Sequence, residues 1–145
     1  MSQTRPDISE IRWRVNYSET DQMGVVYHAR YLVWLDVART EHLRRTGLSY
    51  ADLEARGFRL AVGELRMRYR RPARYDDEVR IRCWVRESRS RRIVFGYALD
   101  VPARGELVGT AETAMMVLDA GFGLARLPAD VLSLLPASPD PVRLF

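Results

Sequence analysis

The sequence predicts an α+β fold, a curved antiparallel five-stranded sheet wrapped around a long central helix, and three patterns predict it. A strand-like alternation of apolar and polar residues covers 11–17, a stripe of helical spacing covers 29–46, and four further alternating runs fill 58–118 with no helix between them. Strands that follow one another without crossover helices pair antiparallel, and a helix with a broad apolar stripe must bury it against such a sheet.

The first strand rests on Ile11, Trp13, Val15 and Tyr17, which alternate with polar neighbours. The helix rests on Leu32, Leu35, Ala38 and His42 or Leu43 at three- and four-residue spacing, with Tyr31 and Trp34 widening the stripe. Gly47 stands where the helix should stop, because glycine accepts positive φ. Ser49 and Asp52 have the spacing of a capping box for a second, short helix that Gly57 closes. In the next run Phe58, Leu60 and Val62 hold even positions, whereas Leu65, Met67 and Tyr69 hold odd ones. That change of parity at Gly63 and Glu64 predicts a β-bulge. Strands follow at Val79 to Val85, Ile93 to Leu99 and Leu107 to Leu118, with turns at 71–77, 88–91 and 102–105. These four runs are expected to form a meander that the first strand joins at its edge or centre. A short helix is expected over 131–135, after which Pro136, Pro139 and Pro141 point to a loosely packed tail.

At 145 residues the chain is expected to form one domain over 1–145. Apolar residues make up 47 % and charged residues 29 %, ordinary for a globular protein and contrary to disorder. The N-terminal stretch lacks the apolar run of a signal peptide, and no segment approaches the roughly 18 apolar residues of a membrane span, so a cytoplasmic location is expected. Cys83 stands alone, which excludes an internal disulfide, and it falls on the apolar parity of a strand as a small buried hydrophobe. All 23 basic residues are Arg, and the net charge is +4. The runs RMRYRRPAR (66–74) and RESRSRR (86–92) would suit a polyanionic partner. Their arginines alternate with apolar strand positions and lack interleaved stacking platforms, so nucleic acid is not expected as a partner.

The chemistry concentrates in YSETDQMGVVYHARY, residues 17–31. Gly24 to His28 fall just before the helix or in its first turn, where unpaired backbone N–H groups and the positive end of the helix dipole gather. Such a place suits an oxygen that is gaining negative charge, for example a thioester carbonyl during acyl transfer. Asp21, seven residues before His28, can act as a nucleophile or as a general base on water. The same residues also fit a structural role, with Asp21 as a cap, Gly24 as a turn residue and His28 at the wall of the core.

This stretch resembles the acyl-CoA thioesterases of the hotdog-fold superfamily, specifically the 4-hydroxybenzoyl-CoA thioesterase family with its Tol-Pal-associated relatives. The resemblance is carried by Asp21, Gly24, Val25, Val26, Tyr27 and His28 followed by ARYLVWLDVARTEHLR, and more weakly by RRPARYDDEVRI (70–81). It implies a hotdog fold with the helix at 29–46 as its centre, and a homodimer or homotetramer with sites at subunit interfaces. Asp21 would be the catalytic carboxylate. The His28 N–H would polarise the thioester carbonyl, with the His28 imidazole as a second candidate for orienting substrate or water. Gly24, Val26, Tyr27 and Tyr31 would shape the substrate site, Trp34 being a core residue first. Arg89, Arg91 and Arg92 would grip CoA phosphates across the interface. Asp36 departs from relatives with Glu at that position and is expected to be solvent-facing or ion-paired.

The function implied is hydrolysis of an acyl-CoA to the free acid and CoA, with no cofactor, CoA being part of the substrate, and no metal, for which no Cys/His ligand set is present. An acyl-carrier-protein thioesterase, whose basic surface would dock an acidic protein, is the first alternative. A non-catalytic module binding acyl thioesters or nucleic acid is the second.

Overall fold

The computed structural model describes residues 7–145. In chain order the elements are β1 (Ile8–Arg14), α1 (Arg30–Arg45), α2 (Tyr50–Ala55), β2 (Phe58–Tyr69), β3 (Glu78–Arg89), β4 (Arg92–Val101), β5 (Glu106–Asp119) and α3 (Ala129–Leu132). The strands form one sheet in the order β1-β3-β4-β5-β2, every neighbouring pair antiparallel. Only β3, β4 and β5 make the expected meander. The α1–α2 hairpin carries the chain from the β1 edge to the opposite edge, so β2 pairs with β5 and not with β3.

That crossover places the site. The link from β2 back to β3 must cross the end of the sheet, and it runs past the start of α1. There Val26 N donates to Ala73 O (2.9 Å) and Ala73 N donates to the Tyr31 hydroxyl (3.1 Å). Further along, Asp76 N donates to Val15 O (3.1 Å) and Val15 N to Asp77 O (2.9 Å), sewing the link to the end of β1.

Helix α1 spans 16 residues, about 24 Å. It buries Tyr31, Trp34, Leu35, Ala38, His42 and Leu43, whereas Leu32 is exposed, so the stripe is centred one residue earlier than Leu32 would place it. This face meets the inward side chains of β3 and β4, among them Ile81, Cys83, Val85, Ile93, Phe95 and Tyr97, all fully buried. Gly47 and Gly57 have φ +91° and end the two helices as expected, and Ser49 with Asp52 forms the predicted capping box on α2. The predicted bulge appears as a register shift between Val62 and Glu64.

Two expectations fail on local grounds. Tyr17 does not continue the first strand: residues 17–19 form a 3₁₀ turn, and Tyr17 is 77 % exposed, packing edge-on against Tyr75. The stretch from Pro136 is not loose. It crosses the outer face of the sheet, where Asp140 accepts from Trp84 Nε1 (2.9 Å) and from Arg86 Nε and Nη2 (2.9 and 2.8 Å). The Thr110 hydroxyl donates to Leu144 O, and the Arg66 guanidinium lies 3.8 Å from the Phe145 ring centre. Proline removes donors and restricts φ but leaves side chains and carbonyls free to pack, and Trp84, Ala98 and Leu144 form a second small core.

Candidate active site

Between β1 and α1 the chain folds on itself as a miniature hairpin. Thr20 bridges Val26, Asp21 N donates to Val25 O (2.9 Å), and Tyr27 N donates to Glu19 O (2.9 Å). The turn closes with Gly24 N donating to Asp21 O (2.9 Å) and Met23 N donating to the Asp21 carboxylate (2.8 Å). Gly24 takes φ +79° there, a conformation that an L side chain resists, although a Cβ would meet nothing within 4 Å. The requirement for glycine is therefore conformational and not steric.

The hairpin delivers the chain into α1 without a side-chain cap: Ala29 occupies the cap position and makes no capping hydrogen bond. The His28 N–H has no hydrogen-bond partner among the described residues. An uncapped helix start with a free preceding N–H is a ready acceptor of negative charge. The His28 carbonyl is occupied, accepting from the Tyr69 hydroxyl at the end of β2 (3.0 Å).

Asp21, Val26, His28 and Tyr31 line one cavity of about 240 Å³ together with Tyr69, Arg70 and Arg71 from the β2–β3 link. Asp21 is partly exposed and His28 exposed, so both are reachable from solvent. Tyr31 is buried, and burial raises its phenol above the ordinary range despite the Ala73 N–H that it accepts. Its ring stacks edge-on against Trp34 at 4.9 Å and lies 5.6 Å from that of Tyr69.

The other predicted residues distribute as follows. Gly24 shapes the turn from an exposed position. Tyr27 is half exposed and lies against the His28 ring at 4.6 Å, outside the cavity lining. Trp34 is fully buried, as a core residue. Asp36 faces solvent, pairs with Arg39 at 2.6 Å and lines a separate groove of about 430 Å³. Arg89, Arg91 and Arg92 cluster at the β3–β4 turn, with Arg89 and Arg92 paired to Glu87 at 3.3 and 3.5 Å, and none of them lines the Asp21 cavity of its own chain. Among the described residues no group of three or more His, Cys, Asp or Glu is arranged to hold a metal ion. Cys83 is buried, and burial pushes its thiol well above the ordinary range.

Sequence reasoning missed four residues. Tyr69, Arg70 and Arg71 reach the cavity only because β2 lies on the far edge and its exit link returns past α1. Glu19 is buried although the chain around it reads as a polar turn. The one signal for it was its position two residues before Asp21.

A five-stranded antiparallel sheet curved around one helix, with a cavity at the start of that helix, is the hotdog fold. The thioesterase-like superfamily profile matches residues 15–135, and this chain belongs to that superfamily. It is 36 % identical over 110 residues to the acyl-CoA thioester hydrolase YbgC of Escherichia coli, a match covering 74 % of this chain and 81 % of the relative. Among solved structures, the hypothetical protein TT1821 of Thermus thermophilus has a TM-score of 0.82 at 39 % identity, covering 88 % of this chain and 96 % of that one. The DHNA-CoA thioesterase of Staphylococcus aureus has a TM-score of 0.78 at 32 % identity, covering 82 % and 80 % respectively.

Proposed function

We propose that the protein is an acyl-CoA thioesterase that hydrolyses R–CO–S–CoA to the free acid and CoA, with Asp21 as its reactive carboxylate. The observation that carries this reading is the joint placement of the Asp21 carboxylate and an unpartnered backbone N–H at the helix start around one cavity. In the general-base course, Asp21 takes a proton from water as the oxygen attacks the carbonyl carbon. In the nucleophilic course, Asp21 attacks directly and water cleaves the resulting anhydride. In both, the carbonyl oxygen gains charge against the His28 N–H, and collapse of the tetrahedral species expels the CoA thiolate. The His28 imidazole is a second candidate for orienting substrate or water. No cofactor beyond the CoA of the substrate enters either course.

A second copy of the chain completes the site in this reading. Among the described residues strand β2 has one neighbour, leaving an edge 12 residues long, and Val62, Leu65 and Tyr69 along it are 50 %, 41 % and 49 % exposed. An open apolar edge of this kind needs covering, which supports a homodimer or homotetramer with shared sites. Arg89, Arg91 and Arg92 would then meet CoA phosphates from a neighbouring subunit. Arg70 and Arg71, exposed at the cavity, also fit an acidic carrier protein, so the same acyl group must be offered on both carriers.

The test is thiol release from short-chain, long-chain and aromatic acyl-CoAs by the wild type and Asp21→Asn. Asparagine keeps the oxygen that accepts from Met23 N and so keeps the turn. Loss of the carboxylate should lower kcat by about 10³-fold or more, general acid–base groups alone contributing roughly 10²–10⁴-fold. A variant within tenfold of the wild type refutes the assignment of Asp21.

A further inference from the structure

The carboxylate of Glu19 is buried and used by none of the steps above. Its Oε1 accepts from Trp13 Nε1 (3.0 Å) and from Asn16 N (2.8 Å), and its Oε2 accepts from Trp34 Nε1 (2.8 Å). These three donors come from β1, from the turn after it and from α1. The backbone of the same residue starts the miniature hairpin, its carbonyl accepting from Tyr27 N one residue before His28. One residue therefore joins the outgoing strand, the incoming helix and both arms of the hairpin that carries Asp21.

We propose that Glu19 is a positioning residue for hydrolysis, holding the hairpin so that the Asp21 carboxylate and the His28 N–H keep one fixed separation. The proposal rests on the catalytic reading of Asp21. Two features set Glu19 apart from an ordinary buried polar residue. Trp34 is a fully buried core residue and Trp13 a half-buried one packed against that core, their tilted rings 6.3 Å apart between centroids, so the carboxylate is anchored on groups that lie outside the loop. The turn of the hairpin, by contrast, is exposed at Gln22, Met23 and Gly24. Burial alone would raise the Glu19 carboxyl, but the N–H donors and the nearby Arg30 guanidinium outweigh it and hold the group below the usual carboxylate range. Three donors converge on this one carboxylate.

The consequence is specific. Glu19→Gln keeps the shape, but if its oxygen stays with Trp13 and Asn16, its amide N–H group faces the Trp34 N–H, donor against donor. The hairpin must shift to relieve that contact, and a displacement approaching 1 Å at a catalytic group costs about 10²-fold in rate. We expect kcat to fall about 10- to 100-fold with KM changed less than about threefold, because the hairpin would still be present to bind. Trp34→Phe removes the opposed donor, so Glu19→Gln should cost threefold or less in the Trp34→Phe background.

The experiment measures kcat and KM, per folded protein by circular dichroism, for the wild type, Glu19→Gln, Trp34→Phe, the double variant and Asp21→Asn. A large kcat loss in Glu19→Gln that shrinks in the Trp34→Phe background supports the proposal. A Glu19→Gln enzyme within twofold of the wild type, or one whose loss is equal in both backgrounds, overturns it. If Glu19→Gln does not fold, Trp34→Phe alone decides: a three- to tenfold drop in kcat at constant KM supports positioning, and wild-type kcat overturns it. Asp21→Asn separates the two failures. If it retains wild-type turnover, the catalytic reading has failed. If it is inactive while Glu19→Gln is unaffected, only the role of Glu19 has.

Discussion

Gly109 lies on β5 opposite Tyr69, and a side chain there should damage both stability and turnover. A Cβ at this position would stand 2.7 Å from the Arg68 carbonyl oxygen and 2.9 Å from Met67 Cε. The methionine can rotate away, but the carbonyl belongs to the backbone of β2 and falls about 0.7 Å short of ordinary van der Waals contact. Overpacking of this kind costs about 1–3 kcal/mol. Alanine recovers about 0.4–1 kcal/mol by restricting the unfolded chain. At the middle of both ranges the net loss is about 1.3 kcal/mol, or roughly 3–5 °C in Tm for a chain of this size. The strain falls on the stretch that presents Tyr69, Arg70 and Arg71 to the cavity, Arg70 N and Arg71 N both donating to Val108 O, so kcat/KM should fall about tenfold as well. Gly63→Ala is the control: its Cβ would meet Met116 Cγ and Sδ at 2.9 Å, the flexible side chain of a partly exposed residue, and should cost within about 0.5 kcal/mol. Thermal unfolding and thiol-release assays on the two variants give the answer. A Gly109→Ala protein with the Tm and kcat/KM of Gly63→Ala would refute the reasoning.

Two further predictions concern the rest of the fold. His42 is buried with Nδ1 2.8 Å from the Ser9 hydroxyl, and burial, helped by Arg45, depresses its pKa. The unfolded chain therefore takes up this proton first, so the contribution of His42 is complete above about pH 6.5 and is lost as pH falls toward the depressed folded value. Urea midpoints between pH 7.5 and 5 should drop more steeply for the wild type than for His42→Asn, and equal slopes would contradict the assignment. Asp140→Ala should leave the buried Trp84 N–H without its acceptor and the Arg86 guanidinium with Glu112 alone, costing about 1–3 kcal/mol, while kcat stays near wild type because the outer face is remote from the cavity. An unchanged Tm would mean that the Asp140 contacts to Trp84 and Arg86 contribute no stability.

Much of this architecture was legible in the chain because it depends on local rules. The helix period of α1, the positive-φ glycines at 47 and 57, the Ser49–Asp52 box and the parity change at Gly63 are each set within a few residues. The grouping of Asp21, Gly24 and His28 before the helix was legible for the same reason, since they lie within one short stretch, whereas its folding into a hairpin was not. Alternation carried Cys83 into the core, and Asp36 on α1 faces solvent and pairs with Arg39, as expected.

What the tertiary structure decided was everything that depends on which strand neighbours which. Period-two patterning states which face of a strand is apolar but not its partner, so the place of β2 beside β5 could not be read from 58–69 alone. With that pairing came the return link past α1, and with the link came Tyr69, Arg70 and Arg71 at the cavity and the Tyr69 hydroxyl on the His28 carbonyl. The burial of Glu19 and the docking of Asp140 on Trp84 are likewise tertiary contacts. Asp140 meets Trp84 across 56 residues of sequence, and Glu19 is buried because α1 packs back against the end of β1 and brings Trp34 beside Trp13. The sequence by itself determined most of the elements and the grouping of Asp21, Gly24 and His28 before the helix, because backbone conformation and periodicity are local. The sheet order, the walls of the cavity and the anchoring of the hairpin belong to the fold, because long-range pairing is chosen by the packing of the whole chain.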